Sequence, residues 1–234
     1  MSKSNEVQVI DLKSTVAGTP SDIETRSMAT ITAELGEKVD EFDPRTLAIV
    51  KRVIHTTADF SYADRLTFSP GPEVVDAARA ALADGGVTIV TDTNMARSGI
   101  SRPALAKLGC SCVCYMADED VAAAAHEHGT TRAVASVEKA AELDGPLIYA
   151  VGNAPTALFR IKELTAEGRM NPLLVIGVPV GFVNVVEAKE ALLDSDIPAI
   201  VARGRKGGST VAAAIMNALL YSITRTSEGS GAKA

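Results

Sequence analysis

Tryptophan is absent from the 234 residues, and aromatic side chains make up only 4% of them. A core built without large rings has to be packed from Ala, Val, Ile and Leu, which suits helices laid on a parallel sheet. Cysteine and histidine are scarce too, at three each. All the cysteines fall in Cys110-Ser111-Cys112-Val113-Cys114. No CxxC spacing occurs there, and in a strand neighbouring thiols of this run stand about 6.6 Å apart. That is too far for sulfurs sharing a zinc at ~2.3 Å, and i,i+2 disulfides are geometrically poor. The run is expected to pack in a buried strand, with no metal. His126 and His128, two apart in a helical stretch, face different directions and are expected to be solvated. No apolar run reaches the roughly 20 residues of a membrane-spanning helix. The opening Met1-Ser2-Lys3-Ser4-Asn5-Glu6 lacks the apolar centre of a signal peptide, so a cytoplasmic protein off the membrane is expected. Basic residues are in the minority, and the formal charge of −6 speaks against a general nucleic-acid binder.

What is present is alternation. Short apolar runs at Val87–Asp92, Cys110–Met116, Leu147–Gly152, Leu173–Pro179 and Ala199–Arg203 read as strands covered on both faces. Between them lie helical patterns at Pro72–Ala83, Glu119–His128, Ala133–Leu143, Ala154–Glu167, Val185–Leu193 and Ser209–Ile223. This predicts an α/β fold: a single-domain, doubly wound, mainly parallel sheet with helices on both faces. The domain is expected over residues 21–224, with residues 1–20 weakly ordered and 225–234 a flexible tail.

In such sheets ligands bind beyond the carboxyl ends of the strands, where this chain collects its polar and glycine residues. One end is Asp92-Thr93-Asn94-Met95-Ala96, and a second is Gly152-Asn153-Ala154-Pro155-Thr156-Ala157. A third is Gly177-Val178-Pro179-Val180-Gly181-Phe182, and the last is Arg203-Gly204-Arg205-Lys206-Gly207-Gly208-Ser209-Thr210. The basic, glycine-rich last turn opens a helix, so its free N–H groups can cradle an anion. It has neither the Lys-Ser/Thr pair of a P-loop nor the GxGxxG spacing of a dinucleotide site. An ordinary helix start and a carboxylate or phosphate site both fit it.

Upstream, Asp43-Pro44 supplies an N-cap and a proline at the first helical position. Leu47, Val50 and Ile54 then form a buried stripe that carries the helix to His55. Arg52 and His55 stand three apart on neighbouring edges. A cation one turn away favours the neutral imidazole, while the carbonyl end of the helix favours the charged one. That balance suits proton exchange near neutrality, although a structural histidine would show the same pattern.

Seven segments in register resemble one family. They are Ile23-Glu24-Thr25-Arg26-Ser27, Arg52-Val53-Ile54-His55, Thr67-Phe68-Ser69-Pro70, Thr91-Asp92-Thr93-Asn94-Met95, Gly152-Asn153-Ala154-Pro155-Thr156-Ala157-Leu158-Phe159, Gly177-Val178-Pro179-Val180-Gly181-Phe182-Val183 and Arg203-Gly204-Arg205-Lys206-Gly207-Gly208-Ser209. Their order matches the motifs of precorrin-8X and cobalt-precorrin-8 methylmutases. The resemblance implies a homodimeric isomerase of cobalamin biosynthesis that moves a methyl group from C-11 to C-12 of the macrocycle, with the substrate near the subunit interface. Its product would be hydrogenobyrinate or, with cobalt in the ring, cobyrinate.

Carried over residue by residue, the family's catalytic histidine falls on His55. Its substrate-contacting serine falls on Ser27, and its arginines fall on Arg52 and Arg132. Thr93, Asn94, Asn153, Pro155, Thr156, Arg203, Arg205, Gly207 and Ser209 complete the expected tetrapyrrole-binding set. No dissociable cofactor is implied. Thr56-Thr57-Ala58-Asp59 departs from the Ala-Cys-Gly form of the aerobic branch, and leans towards a cobalt-bearing ring. A non-catalytic corrinoid carrier, and a nucleotide-dependent α/β enzyme, are the other classes in view.

Overall fold

The structure, a computed structural model, describes residues 20–225. The expected weakly ordered start and tail therefore lie outside the described residues, apart from Pro20 and Arg225 at the ends of helices. The elements run α1 (Pro20–Leu35), a 3₁₀ turn (Gly36–Glu41), α2 (Pro44–Thr57), a second 3₁₀ turn (Phe60–Asp64) and β1 (Leu66–Ser69). Then come α3 (Glu73–Asp84), β2 (Thr88–Thr91), α4 (Asn94–Gly99), α5 (Arg102–Lys107), β3 (Ser111–Val113), α6 (Glu119–Glu127) and α7 (Arg132–Ala141). The chain closes with β4 (Leu147–Val151), α8 (Pro155–Ala166), β5 (Leu174–Gly177), α9 (Val185–Leu193), β6 (Ala199–Ala202) and α10 (Ser209–Thr224). Among the described residues no helix is long and apolar enough to cross a membrane.

One six-stranded sheet has the order β1-β6-β5-β4-β2-β3. The five strands from β2 onward are parallel, and β1 pairs antiparallel with β6 at the edge. Alternation along β4 sends Ile148 and Ala150 into one core and Leu147, Tyr149 and Val151 into the other. The first core is shared with α1 to α5 and α10, and the second with α7, α8 and α9. This is the expected doubly wound α/β arrangement.

Two expectations need correction. Leu66–Ser69, outside the expected strands, is a strand in which Leu66 is buried and the next three residues are half-buried. The strand expected over Cys110–Met116 is only Ser111–Val113 and lies at the opposite edge. Cys110 and Cys112 are therefore only partly buried, and Cys114 is buried beyond the strand's end. Burial pushes the Cys112 thiol up to about 11, which keeps it protonated and unreactive.

The parallel strands, taken alone, have the order second, first, third, fourth, fifth. The strand order therefore reverses between the parallel neighbours β2 and β4, and the crevice beyond their carboxyl ends is where such sheets bind ligands.

Candidate active site

His55 sits in the last turn of α2, whose start follows the sequence rules. Asp43 accepts a hydrogen bond from the Arg45 N–H, and Pro44 occupies the first turn. Thr46, Ile49, Val50, Val53 and Ile54 bury the inner face, which leaves His55 exposed. The helix ends at Ala58 in the left-handed region (φ 52°), with its N–H on the Ile54 carbonyl. Across from it, Ser27 on α1 places its Oγ 2.7 Å from His55 Nδ1.

One turn back on the same two helices, Arg52 pairs with Glu24. Glu24 also takes the Arg225 guanidinium at 2.6 Å, and Arg52 and Arg225 both stack on the Tyr221 ring. Arg52 is thus turned towards α1 and α10, and its charge is matched by a carboxylate. In this arrangement the Arg52 guanidinium lies against Glu24 and Tyr221. The offsets are equal: Glu24 is three residues before Ser27, and Arg52 three before His55.

At the reversal point, Asp92 is buried and accepts the N–H groups of Gly152, Asn153 and Ala154 at 2.8, 2.7 and 2.7 Å. Burial raises its pKa, while the three backbone donors work in the opposite sense. Thr93 caps α4 through the Ala96 N–H, and its Oγ1 lies 2.7 Å from Ser209 Oγ. Gly152 lets α10 come this close, because a Cβ there would lie 2.8 Å from Ser209 Cα. Neither α8 nor α10 has a side-chain cap at its start, so two helix N-termini offer free N–H groups beside the crevice.

The turn after β6 is anchored from several sides. Lys206 Nζ reaches Asp59 at 2.6 Å and Ser61 at 3.0 Å, which ties the turn to the chain just past His55. That contact holds the Asp59 carboxyl at about 2, through the Lys206 and Ser61 hydrogen bonds. Lys189 on α9 is fully buried and donates to the Gly204 and Lys206 carbonyls at 2.7 and 2.8 Å. Desolvation lowers its pKa to about 8, with nearby Arg65 adding to the effect and Glu190 opposing it.

The sequence profile of precorrin-8X methylmutase matches residues 22–222 of this chain. The chain belongs to the precorrin-8X methylmutase family. It is 46% identical, over 87% of its length and 96% of the relative's, to cobalt-precorrin-8 methylmutase of Salmonella typhimurium. It is 41% identical to precorrin-8X methylmutase of Pseudomonas aeruginosa, over 83% and 91% of the two chains. The crystal structure of the precorrin-8X methylmutase of Thermus thermophilus superposes with a TM-score of 0.78 at 39% identity, over 91% of this chain and 98% of that one.

The expected methylmutase site residues thus fall into two groups. Ser27 and His55 pair directly on α1 and α2, while Thr93, Asn94, Asn153, Pro155, Gly207 and Ser209 gather at the strand ends and helix starts. Arg132 opens α7 and is exposed, with its guanidinium 3.5 Å from the Met116 carbonyl. Thr156 Oγ1 lies 3.3 Å from Thr131 Oγ1 beside it. Arg205 is exposed over the Phe182 ring, 5.5 Å from its centroid. Arg203 is exposed and donates from Nε and Nη2 to the two carboxylate oxygens of Glu190.

A groove of about 400 Å³ beside Lys162, Thr165, Asn171, Ser195 and Asp196 lies at the opposite, amino edge and contains none of these residues. His126 and His128 are exposed, and no cluster of metal-ligating side chains occurs among the described residues. Glu24, Asp92 and Lys189 were not singled out from sequence. For Glu24 and Arg52 a signal was available: opposite charges at one offset from two residues that pair.

Proposed function

We propose that this chain is an isomerase of cobalamin biosynthesis, shifting a methyl group from C-11 to C-12 of precorrin-8 or its cobalt form. The observation that carries the assignment of roles is the Ser27–His55 contact on an otherwise exposed helix end. If the Ser27 hydroxyl donates to Nδ1, the neutral ring carries its proton on Nε2 and presents it outward. If the ring is charged, Nδ1–H donates to Ser27, and Nε2–H is again the outward donor. In each case Ser27 fixes the imidazole plane and leaves Nε2 facing outward. There it delivers a proton in these two forms, and accepts one when the neutral ring carries its proton on Nδ1.

A 1,5-sigmatropic shift breaks the C-11–methyl bond as the C-12–methyl bond forms, and moves no net electrons. It needs no redox partner. Protonation of the macrocycle by His55 makes the receiving carbon electron-poor, a contribution of typically ~10²–10⁴-fold. The remaining acceleration comes from holding the flat ring in one shape. Its acetate and propionate groups suit Arg132, Arg205 and the N–H groups opening α8 and α10.

The apolar ring face suits Met95, exposed in the first turn of α4, and Val180, Phe182 and Val183, exposed on the loop beyond β5. An open rim with so much exposed apolar surface supports a homodimer in which a second copy covers the substrate. A cytoplasmic setting fits a biosynthetic enzyme without an apparent membrane helix. A cobalt-bearing ring is favoured by Thr56-Thr57-Ala58-Asp59 after His55, which departs from the Ala-Cys-Gly form of the aerobic branch.

The test is to incubate the protein separately with the metal-free and cobalt-bearing substrates and follow the ring spectrum. Conversion of the cobalt form at the higher kcat/KM is expected. Tight binding without conversion of either would leave a corrinoid carrier instead.

A further inference from the structure

The buried Lys189 is unusual in having no carboxylate partner among the described residues. Its nearest acidic neighbour in sequence, Glu190, is engaged by Arg203. Both acceptors that Lys189 does have are backbone carbonyls of one turn, Gly204 and Lys206. A trans peptide holds its C=O and N–H on opposite sides, and the one cis bond among the described residues lies elsewhere, at Ser69-Pro70. Turning these two carbonyls inward therefore turns the N–H groups of Arg205 and Gly207 away from Lys189. Neither N–H meets an acceptor among the described residues. No side chain can screen the second, since a Cβ on Gly207 would lie 2.1 Å from the Val178 carbonyl oxygen. The intervening Arg205 carbonyl is taken by the Gly181 N–H at 3.2 Å, which pins the turn from a further side.

We infer that Lys189 is a positioning residue, which fixes the Gly204–Gly207 turn so that the Arg205 and Gly207 amides receive a peripheral carboxylate of the substrate ring. An ammonium group bound to the two carbonyl oxygens polarises both peptides, and their N–H groups become stronger donors to an anion. The positive charge thus acts on the ligand through the backbone while staying out of water. The uncapped start of α10 adds N–H groups next to the same turn. The inference rests on the methylmutase reading, because it takes a carboxylate-bearing macrocycle as the ligand.

Lys189→Met keeps the side-chain length and removes the charge. Its binding is compared with that of the unaltered protein for two probes: the ring product, and the same ring with its carboxylates converted to methyl esters. The expected result is roughly tenfold weaker binding of the carboxylate form, as for one lost charge-assisted hydrogen bond, and unchanged binding of the ester. Equal loss for both probes, or none for either, would overturn the inference.

Amide NMR of the unaltered protein tests the geometry even if the variant does not fold. The Arg205 and Gly207 signals should shift on adding the carboxylate form and stay in place with the ester. Signals that ignore the carboxylate form, or follow both probes alike, would sink it. If the methylmutase reading itself is wrong, the unaltered protein will fail to convert substrate, which separates the two failures.

Discussion

Ser27 and His55 touch at 2.7 Å across 28 residues of sequence, and the Glu24–Arg52 ion pair repeats that contact one turn lower on the same two helices. In the proposed mechanism the upper pair carries the proton chemistry, and the lower pair fixes how α1 lies along α2. Removing either member of the lower pair should therefore disturb the upper one without touching the ring.

His55→Ala should abolish methyl migration and leave the fold intact, since the side chain is exposed. Ser27→Ala should lower kcat by ~10–100-fold, within the range of general acid–base catalysis, with a smaller change in KM. Substrate turnover and a thermal melt measured together check both. Near-normal turnover by His55→Ala would end its role as proton donor.

Three arginines should separate by their partners. Arg132→Ala should weaken ring binding by ~1–3 kcal/mol, as for a charge-assisted contact, and make it less dependent on salt. Arg203→Ala should change it little, because Glu190 already holds that guanidinium. Arg52→Gln should act mainly on kcat, by loosening the Ser27–His55 contact. Titration with the ring at low and high salt, beside steady-state kinetics, resolves the three cases.

Asp92→Ala leaves three backbone N–H groups at the reversal point without their acceptor. Each unpaired buried donor costs about 1–3 kcal/mol where water cannot replace the partner. A loss of several °C in Tm is expected, together with weaker substrate binding. A variant as stable as the parent would show that water takes over the role of the carboxylate.

Ala58 holds a left-handed backbone conformation at the end of α2. For a residue with a Cβ that conformation costs roughly 1–2 kcal/mol, and glycine adopts it freely. Ala58→Gly should therefore raise stability by about 1 kcal/mol in a denaturant melt with an unchanged m-value.

The Asp59–Lys206 tether sets a pH dependence. The Asp59 carboxyl titrates at about 2 in the folded protein, below the ordinary 3.8. The unfolded chain thus binds its proton first as pH falls, and the stabilisation is full above pH 3.8 and lost on approach to pH 2. Melts of the parent and of Asp59→Asn should differ near neutrality and converge as pH falls through that window. A constant difference down to pH 2 would remove Asp59 from the acid response.

From Val87 onward the sheet and most helices were legible because short apolar runs and helical periods alternate without interruption. The α2 helix was legible from Asp43, Pro44 and its buried stripe. β1 escaped because four residues at an edge, with only Leu66 buried, carry too little pattern. Helix α1 escaped because little of its apolar surface, mainly Ile31 and Leu35, is buried. Within the candidate site, residue types showed where chemistry could sit, but not which charges were already spent. Arg52 and Arg203 look alike as free cations in sequence, and only the packing reveals Glu24 and Glu190. Lys189 reads as a solvent-facing lysine in Val185-Val186-Glu187-Ala188-Lys189, yet it is buried because the turn after β6 folds over it.

Both margins of the sheet offer poor templates for another strand. On one side β3 is three residues long, with the Arg97 guanidinium on its Cys112 carbonyl. On the other, β1 is four residues long and runs straight into Pro70. Short margins of this kind discourage the backbone pairing through which sheets extend from molecule to molecule. Copies of this chain that meet in solution are thereby steered away from fibre-like growth and towards contact through side chains. Such contact can close on itself after two copies, whereas strand pairing would leave an open margin for the next.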